Sequence, residues 1–597
     1  MKQASSIDLC AGGIELRFEP HHLLARGWKA GGVEILQGIS LTLRDCNWGT
    51  PSPDVKWEMI YQRKDSFALN FTARYFRGGK VYFLWQGELA GSSDGEVTFF
   101  TRGTAMEDVE TNRAGFCVLY PAEVAGCSCK IRHVNGRKVN SRFPKMISPH
   151  QPFFDLRAIT HRPIAGLETE VEMTGETFEM EDQRNWTDSS FKVYCRPLTK
   201  GWPFVIKRNE TVEQSIRVKL SGSKARHRPV KRGKELVAQP APNRVRLPNL
   251  GLGYSAQKQL PPKAIKSLKT LGLDHLRINL DVKEKDALVK WKNAAKAARE
   301  LGCGLDVALF LEKEDARQLQ RALPDSADAP FTRWFVFSRG TKTTNETVFK
   351  MARATLLEHG WKPAQIGGGT DVYFVDLNRK RPFFSDLSFI GYSINPQVHA
   401  FDNLSLIETL PMHKLTVTET RRLAMDRPVH VGPITFRPRF NPVATAKSAV
   451  PKPDPRQISR FGAVWTLGSI VALAQGKAAA ATFYNTHGDG GVLDRELRPT
   501  ILHRLFQALH PSTFDQTRVL ESPESGMIFG LIFNQASGWR ILVANASEAT
   551  RTLRLCVPDA SRATCRFLHS GKRVSLQFRK GTFALEMPGY SVAHLES

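Results

Sequence analysis

The chain has 597 residues, of which 41% are hydrophobic and 24% are charged, and its formal net charge is +26. A single hydrophobic core stops growing well below this length, so roughly two to four domains are expected. Each apolar run falls short of the roughly 20 residues that a membrane-spanning helix needs. The best run, Ser469–Phe483, is interrupted by Gln475 and Lys477, so no membrane partner is expected.

The cysteines and the polar N-terminus indicate a cytoplasmic protein. Met1–Gly13 has no apolar core of the kind found in signal peptides, and therefore none is expected. The nine cysteines are an odd number spread thinly over the chain, which is typical of reduced thiols. Cys127 and Cys129 have no second cysteine pair to complete a zinc site, so neither a metal nor a cofactor is predicted.

The strong basicity raises the question of nucleic acid. The densest basic run, Lys224–Lys234, lies in a connecting segment, and no helix-turn-helix, zinc finger or RNA-recognition motif accompanies it. We therefore interpret the lysines and arginines as solvated surface with a weak attraction for anionic substrates. No nucleic-acid partner is expected, and the oligomeric state is left unknown.

The first 238 residues are predicted to form an N-terminal β-sandwich. Alternating apolar runs such as Ser66–Tyr75, Lys80–Trp85 and Glu96–Thr101 are separated by short Gly, Asp and Ser turns. The Pro-rich segment Gln239–Pro248 then has no period and is interpreted as a linker.

Residues 239–512 are predicted to form a (β/α)8 TIM barrel. Short apolar strands alternate with helical segments eight times, which indicates a parallel sheet covered by helices. The predicted strands are Gly251–Ala256, His275–Leu280, Gly304–Phe310, Trp334–Ser338, Asp371–Asp376, Phe389–Asn395, Val429–Phe436 and Ala479–Tyr484. The predicted helices include Lys283–Leu301, Glu346–His359, Ser405–Leu423, Gln457–Gln475 and Ile501–His510. A doubly wound sheet is the alternative, but Gly251–Ser255 lacks the full glycine fingerprint of such folds.

Residues 513–597 return to a β pattern and are predicted to form a C-terminal β-sandwich. The runs are Met527–Phe533, Trp539–Asn545, Arg551–Cys556 and Thr582–Met587.

Catalytic groups of a barrel enzyme lie at the C-terminal ends of its strands. The segment from Asn395 to Asp402 is the richest in polar residues, and it also carries His399. Its structural alternative is a turn at Asn395–Pro396, with Asp402 capping the next helix. His430 is interpreted as a core histidine. A metal site formed by His399, Asp402, His430 and His487 stays open, although no metal-binding spacing supports it.

Retaining barrel glycosidases use two carboxylates, in the large barrel clan glutamates at the ends of strands 4 and 7. The corresponding segments here are Val336–Gly340 and Ile434–Pro438, and neither contains a glutamate. This argues against the usual glycosidase reaction.

A second dense segment lies in the N-terminal domain, where Thr177–Lys192 mixes carboxylates with Arg184 and Trp186. A loop over a polar site would use the aromatic residue to stack on a sugar and the carboxylates and amides to bind hydroxyls. The structural alternative is a salt-bridged surface turn.

The residues of this segment, Glu179–Asp188 followed by Ser189–Tyr194, resemble the characteristic motif of the D-apionate lactonase (D-apionolactone hydrolase) family. Ile147–Phe153 with Asp155–Arg157 after it, and Ala114–Leu119, resemble that family too. The likeness covers essentially the whole chain. It implies a carboxylic-ester hydrolase that opens D-apionolactone, a small-molecule sugar lactone, to D-apionate in D-apiose catabolism.

The resemblance brings no assignment of catalytic residues, so the site is inferred from the chemistry. Lactone opening needs a base that activates water and donors that stabilise an oxyanion. We predict that the base is His399 or one of the carboxylates Asp371, Asp402 and Glu181, and that Arg277 and Asn395 bind the carbonyl oxygen. Substrate-binding residues are predicted to be Asp182, Gln183, Arg184, Trp186, Tyr254, Asn485 and His487. No G-x-S-x-G motif indicates a catalytic serine.

Two alternative functions stay open. The first is a glycoside hydrolase acting on a plant-derived sugar with displaced acids, for instance Asp371 and Asp402. The second is a non-catalytic carbohydrate-binding protein.

Overall fold

The computed structural model describes residues 6–222, 235–323, 329–382, 385–440, 451–510, 517–522, 526–535, 538–557, 562–577 and 581–597. The chain divides into two compact units. One consists of Met1–Arg184 and Ser189–Arg232, and the other of Asn185–Asp188 and Gly233–Ser597. The basic run Lys224–Lys234 lies entirely outside the described residues.

The N-terminal unit is built from strands, because its sequence alternates apolar and polar residues with short Gly-rich turns. Its strands are β1 (Ile7–Ala11), β2 (Ile14–Glu19), β3 (Leu24–Ala30), β4 (Val33–Arg44), β5 (Asp54–Gln62), β6 (Phe67–Arg77), β7 (Lys80–Ser92), β8 (Glu96–Ala105), β9 (Val109–Thr111), β10 (Arg113–Pro121), β11 (Ser128–His133), β12 (Lys138–Arg142), β13 (Phe153–Ile164), β14 (Leu167–Thr174), β15 (Phe178–Asp182), β16 (Ser190–Tyr194), β17 (Phe204–Ile206) and β18 (Thr211–Ser221).

Sixteen of these strands form one large sheet that folds over itself, and β9 pairs with β17 in a separate two-stranded sheet. The order is β1-β2-β3-β4-β10-β16-β15-β13-β14-β18-β8-β7-β6-β5, with β11 and β12 branching from β13. Phe18, near one end of this order, lies 5.4 Å from the ring of Phe71 and 6.0 Å from that of Phe99, near the other end. The two ends therefore enclose one apolar core, and the predicted N-terminal β-rich domain is confirmed.

The barrel consists of eight parallel strands that close on themselves. In chain order they are β20 (Asn249–Gly253), β21 (His275–Asp281), β22 (Gly304–Leu311), β23 (Thr332–Ser338), β24 (Ile366–Tyr373), β25 (Ile390–Ile394), β26 (Val429–Ile434) and β27 (Ala480–His487), and β20 pairs with β27. The short β28 (Gly491–Leu493) adds to β27. The helices are α1 (Pro262–Lys269), α2 (Ala287–Leu301), α3 (Ala316–Ala322), α4 (Glu346–Glu358), α5 (Phe374–Lys380), α6 (Asn403–Glu408), α7 (Leu410–Leu423), α8 (Arg460–Gly476) and α9 (Ile501–Ala508). The predicted TIM barrel is confirmed.

The fifth strand lies earlier than predicted. The prediction was Asp371–Asp376, whereas β24 spans Ile366–Tyr373 and the helix α5 begins at Phe374. The glycine run lies inside the strand because its neighbours leave no room for side chains. A Cβ atom on Gly369, where φ is +121°, would lie 2.2 Å from the carbonyl oxygen of Gly391. The shift moves Asp371 to the C-terminal end of its strand.

Two further predictions are corrected. The predicted helix Ser405–Leu423 is two helices, α6 and α7, and Pro411 stands in the first turn of the second, where its missing N–H costs nothing. The predicted linker Gln239–Pro248 overlaps β19 (Glu235–Arg244), which pairs with strands of the C-terminal sheet. Prolines are tolerated there because the ladder is interrupted between Pro240 and Arg244. The domain limits at 238 and 512 stay predictions.

The C-terminal part is a β-sheet that belongs to the same compact unit as the barrel. Besides β19, its strands are β29 (Thr517–Glu521), β30 (Ile528–Gln535), β31 (Gly538–Asn545), β32 (Arg551–Cys556), β33 (Arg562–Phe567), β34 (Arg573–Gln577), β35 (Thr582–Met587) and β36 (Ser591–Glu596). Their order in the sheet is β34-β33-β36-β31-β30-β29-β19-β32-β35. Leu553 of β32 and Leu585 of β35 share a core with Val543 and Leu595.

Within the described ranges, no helix is both long and apolar enough to cross a membrane. All nine cysteines are free thiols.

Candidate active site

A cavity of about 650 Å³ opens at the C-terminal ends of the barrel strands. Five of the predicted site residues line it, namely Tyr254, Arg277, Asp371, Asn485 and His487. They come from four different strands or from the loops that directly follow them. This convergence is what the barrel topology predicts, since parallel strands bring their carboxyl ends to one face.

The cavity contains a cluster of one carboxylate, one buried arginine and one partly buried arginine. Asp371 is 2% exposed, and its Oδ1 accepts a hydrogen bond from Arg277 Nη2 at 2.8 Å. Arg439 Nη2 forms an ion pair with Asp371 Oδ2 at 3.0 Å and donates to the Asp371 carbonyl oxygen at 2.6 Å. Arg277 is 3% exposed, and its Nε has no hydrogen-bond partner among the described residues. Burial lowers the pKa of Arg277, but an arginine stays charged at neutral pH. The cluster therefore has a net positive charge, and the Nε–H group of Arg277 has no hydrogen-bond partner among the described residues.

Further cationic side chains line the same cavity, and the sequence analysis did not select them. They are Lys290, Arg339, Lys342, Arg437 and Arg439. Arg339 pairs with Asp281 at 2.7 Å. Lys342 has no carboxylate within 4 Å in the described part of the chain and lies 4.7 Å from the ring centroid of Phe440. The sequence could have indicated three of them, because Arg339, Arg437 and Arg439 follow predicted strand ends. They were missed because the basic residues were interpreted as solvated surface.

His487 is the only histidine of the described cavity lining. Its Nδ1 lies 3.0 Å from Thr486 Oγ1, and its Nε2 has no hydrogen-bond partner among the described residues. Partial burial lowers the pKa of His487 below its ordinary value of 6.5. The ring is therefore neutral at pH 7, and when Nδ1 donates to Thr486, the Nε2 atom carries a lone pair that can accept a proton.

Tyr254 and Asn485 lie where the barrel closes, since Gly253 pairs with Asn485. The Tyr254 hydroxyl donates to the carbonyl oxygen of Lys258 at 2.5 Å. Burial raises the pKa of Tyr254 to about 12, so the phenol stays protonated. Asn485 is exposed. Both can offer hydrogen bonds to a polar ligand.

The polar segment from Asn395 to Asp402 does not line the described cavity. Asp402 caps helix α6 by accepting hydrogen bonds from the N–H of Ser405 at 2.9 Å and from its hydroxyl at 2.7 Å. Asn395 is 2% exposed, and its Oδ1 accepts a hydrogen bond from the N–H of Gln397 at 3.2 Å. These contacts form a turn followed by a capped helix, which is the structural alternative given above for this segment.

His399 and Trp186 belong to a small cluster beside strand β24. His399 Nδ1 lies 2.6 Å from Asp188 Oδ2, and its ring meets Trp186 edge-on at 5.5 Å. Trp186 packs against Val372, Tyr373 and Val375, together with Phe440, which lines the cavity. The four residues Asn185–Asp188 are thus part of the barrel unit, although the segment that precedes them is not.

Most of the remaining polar motif is structural. Asp182 and Arg184 are each 1% exposed and form a buried ion pair at 2.7 Å. Arg184 also donates to the carbonyl oxygens of Pro144 at 2.9 Å and Met146 at 3.2 Å, which fixes that segment against the sheet. Gln183 accepts from Ser190 at 2.8 Å. Glu181 pairs with Lys192 within the N-terminal unit. Sequence reasoning could not separate these roles, because a buried network and a ligand site use the same residue types.

His430 lies in the barrel interior, as predicted for a core histidine. It packs against Phe389 at 4.8 Å, and Asp306 lies 4.0 Å from its Nδ1. Among the described residues, no three His, Cys, Asp or Glu side chains form a group that could hold a metal ion. His399, Asp402, His430 and His487 therefore do not converge.

Two family models match the chain. The model of the D-apionate lactonase N-terminal domain matches residues 1–223, and that of the D-apionate lactonase TIM barrel domain matches residues 250–514. A protein of Brucella anthropi named D-apionate lactonase is 29% identical over 502 residues, which cover 79% of this chain and 81% of that protein.

Solved structures with a related fold include two xylanases. The GH30 endoxylanase of Clostridium papyrosolvens C71 is 11% identical, with a TM-score of 0.41 over 61% of this chain and 99% of that chain. Xyn30A of Clostridium acetobutylicum is 10% identical, with a TM-score of 0.42 over the same shares. At these values the likeness has no bearing on substrate or reaction. The two family models, by contrast, cover both the N-terminal domain and the barrel, and the chain belongs to the D-apionate lactonase family.

Proposed function

We propose that this protein is a carboxylic-ester hydrolase that opens D-apionolactone to D-apionate, within D-apiose catabolism, at the cavity of its barrel. The observation that carries the proposal is the presence of a neutral histidine, the buried Arg277 and the partly buried Arg439 in one cavity at the catalytic face of the barrel. Membership of the family supports a lactonase, and the choice of substrate rests on the name of the relative. The free thiols favour the cytosol as its location.

His487 is proposed as the general base. Its lowered pKa leaves the imidazole neutral, and its unpartnered Nε2 can remove a proton from water. The water oxygen then forms a bond to the lactone carbonyl carbon, and the carbonyl oxygen becomes an oxyanion. When the intermediate collapses, the bond between that carbon and the ring oxygen breaks. The ring oxygen takes the proton back from His487, and the product is a hydroxy acid.

Arg277, Arg439 and Lys342 are proposed to stabilise the oxyanion and to bind the product carboxylate. Arg277 offers the buried Nε that has no partner among the described residues, and Lys342 has no carboxylate within 4 Å there. Cations fixed in a partly buried site stabilise developing negative charge more strongly than water does.

Asp371 is proposed to position the arginines rather than to act as the base. Both of its carboxylate oxygens are occupied, one by Arg277 and the other by Arg439. Tyr254 and Asn485 are proposed to bind the hydroxyl groups of the lactone. Trp186 is proposed to act from outside the cavity, through the cluster that it forms with Tyr373 and Phe440, and His399 through its contact with Trp186.

A glycoside hydrolase is the less favoured alternative. The acid pair suggested for it, Asp371 and Asp402, would need both groups in one cavity, whereas Asp402 caps a helix and Asp371 is held by two arginines. A non-catalytic sugar-binding protein would need no proton acceptor such as His487.

The proposal is tested by incubating the purified full-length protein with D-apionolactone, other aldono-1,4-lactones and aryl glycosides. Acid release is followed by pH-stat and the product is identified by NMR. We expect lactone opening well above the spontaneous rate, fastest with D-apionolactone. Glycoside cleavage without lactone opening, or saturable lactone binding without turnover at any pH, would overturn it.

A further inference from the structure

Four neighbouring strands of the N-terminal sheet carry polar side chains on one face. The register places Arg113 opposite Arg44, Lys192 opposite Glu181 and Tyr194 opposite Glu179. Residues that face each other in an antiparallel pair point to the same side of the sheet. The other side, with Phe116, Val118 and Val193, belongs to the apolar core. We call the polar side the arginine face.

Arg113 is buried on this face without a hydrogen-bond partner for its guanidinium among the described residues. It is 5% exposed, and its guanidinium donates no hydrogen bond to any described residue. The guanidinium carbon lies 3.9 Å from the ring centroid of Tyr194 and 5.7 Å from that of Trp48. The guanidinium therefore lies over aromatic rings, and its N–H donors are left to bind a ligand.

Arg44 is a second cation on the arginine face, directly opposite Arg113. Its Nη1 donates to the carbonyl oxygen of Trp48 at 3.0 Å, and in the described structure no carboxylate lies within 4 Å of it. Burial and the charge of Arg113 lower the pKa of Arg44, which indicates that the two guanidinium groups act on each other.

The nearby glutamates are used by other groups. Glu181 pairs with Lys192. Glu179 accepts hydrogen bonds from the Tyr194 hydroxyl at 2.5 Å and from the N–H of Leu198 at 2.9 Å. Glu181 acts electrostatically on both arginines, but neither the buried Arg113 nor the half-buried Arg44 has a carboxylate within 4 Å among the described residues. An anion that accepts hydrogen bonds from both would offset the cost of holding the two cations side by side.

We propose that the arginine face binds the carboxylate group of a sugar acid. A planar carboxylate matches the planar edge of a guanidinium with two parallel hydrogen bonds. The Trp202 side chain is 46% exposed and its ring lies 5.3 Å from Trp48, so the two indoles supply an apolar surface for the carbons of the sugar. None of these residues lines the described part of the barrel cavity, and binding here requires no turnover.

The test uses the full-length protein and sodium D-gluconate as the probe, with calorimetry and tryptophan fluorescence as readouts. We expect saturable binding that weakens at least tenfold in Arg113→Gln. The matched control is Arg102→Gln, an exposed arginine of the same sheet that pairs with Glu213, and it should bind like the wild type. Gluconate held in the barrel cavity, where Lys342 is proposed to bind the product carboxylate, is a second binding event that Lys342→Gln should weaken and Arg113→Gln should not. Xylitol, a neutral polyol, should not bind.

Several results would overturn this site. They are the absence of saturable gluconate binding, equal binding in Arg113→Gln, or binding that Lys342→Gln abolishes completely. Binding of inorganic phosphate more tightly than gluconate would replace the sugar acid by a phosphate ligand. If Arg113→Gln does not fold, Arg113→Lys keeps the charge but loses the paired donors, and it should still weaken binding several-fold. A protein that binds gluconate at Arg113 but opens no lactone would contradict only the proposed function.

Discussion

His487 is the residue on which the proposed reaction depends most directly. Replacement by glutamine removes the proton acceptor but keeps a polar side chain, and we expect kcat to fall by about 100-fold or more, with little change in KM. The pH profile gives a second readout. In the wild type, kcat/KM should fall as the pH drops through the lowered pKa of His487, because the protonated imidazole cannot act as a base. In His487→Gln that acidic limb should disappear.

His503 offers a matched control for this variant. It is also a histidine of the barrel unit whose pKa is lowered by burial, but it lies in α9 beside Ser267 and does not line the described cavity. His503→Gln should keep both the rate and the acidic limb. If His487→Gln keeps nearly normal kcat and the limb persists, His487 is not the base.

Asp371 should matter for stability as well as for activity. Replacing one partner of a buried ion pair leaves the other charge uncompensated, and Asp371→Asn does this to two arginines. We expect the free energy of unfolding to fall by about 3 kcal/mol, as measured by denaturant titration. Asp281→Asn is the control, because its pair with Arg339 is about a quarter exposed on both sides, and its loss should cost about 1 kcal/mol or less. Equal losses in the two variants would contradict the special role of the buried pair.

At the scale of single elements, the helix pair α7 and α8 should set part of the acid sensitivity. His413 of α7 is fully buried against α8, with its Nδ1 3.0 Å from Ser469 Oγ and its ring 5.2 Å from Trp465. Burial lowers the pKa of His413 to about 3. Between pH 6.5 and 3 the unfolded chain therefore binds a proton that the folded chain does not, and stability falls with falling pH, by roughly 5 kcal/mol at the lower end.

His413→Leu should flatten this dependence, as measured by denaturant midpoints between pH 7 and 4. His150→Leu, at an exposed histidine, should leave the slope as it is in the wild type. An unchanged slope in His413→Leu would mean that the ring is already protonated in the folded protein.

The accuracy of the sequence-based predictions at this scale depended on how local the signal was. Apolar patterns placed the starts of β6, β7 and β8 and of the barrel strands β21 and β22 within one residue. Strand β24 was misplaced because Gly367–Gly369 was interpreted as a connection, whereas the glycines are needed for close packing against Thr344 and Gly391. The strand β19 was missed because its prolines are typical of linkers and its partners lie almost 300 residues away in the chain.

The candidate site could be predicted only where topology decided it. Asp371 and His487 lie at strand ends, Arg277 lies within β21, and all three reach the cavity at the face that the barrel rule predicts. His399 and Asp402 also follow a strand end, but local contacts with Asp188 and Ser405 engage them outside the cavity lining. Which of several polar residues at a strand end points inward depends on the loop conformation, and residue types alone do not determine it.

For the whole molecule, the barrel and the C-terminal sheet should unfold as one. Strand β19 enters the sheet before the chain forms the barrel. Helix α8 is buried along nearly its whole length and meets the sheet through Phe461, whose ring lies 5.1 Å from Tyr590. Arg460 donates to the carbonyl oxygen of Gly589 at 2.6 Å, and Arg504 to that of Leu568 at 3.0 Å. A helix that is apolar on all sides needs cover on all sides.

A chain that ends after His510 should therefore lose the barrel and not only the sheet. Strand β19 would keep neither β29 nor β32, and the outer side of α8, including Gly468 where it packs against Phe529, would face water. We expect no cooperative unfolding transition for the barrel and no lactone hydrolysis. The N-terminal unit, which has its own core, should keep its transition and serves as the internal control, followed by near-UV circular dichroism. Since association of the missing strands would restore the cover, supplying residues 511–597 as a separate chain should recover part of the transition. A truncated protein whose barrel unfolds cooperatively at the wild-type midpoint would show that the barrel is an independent folding unit.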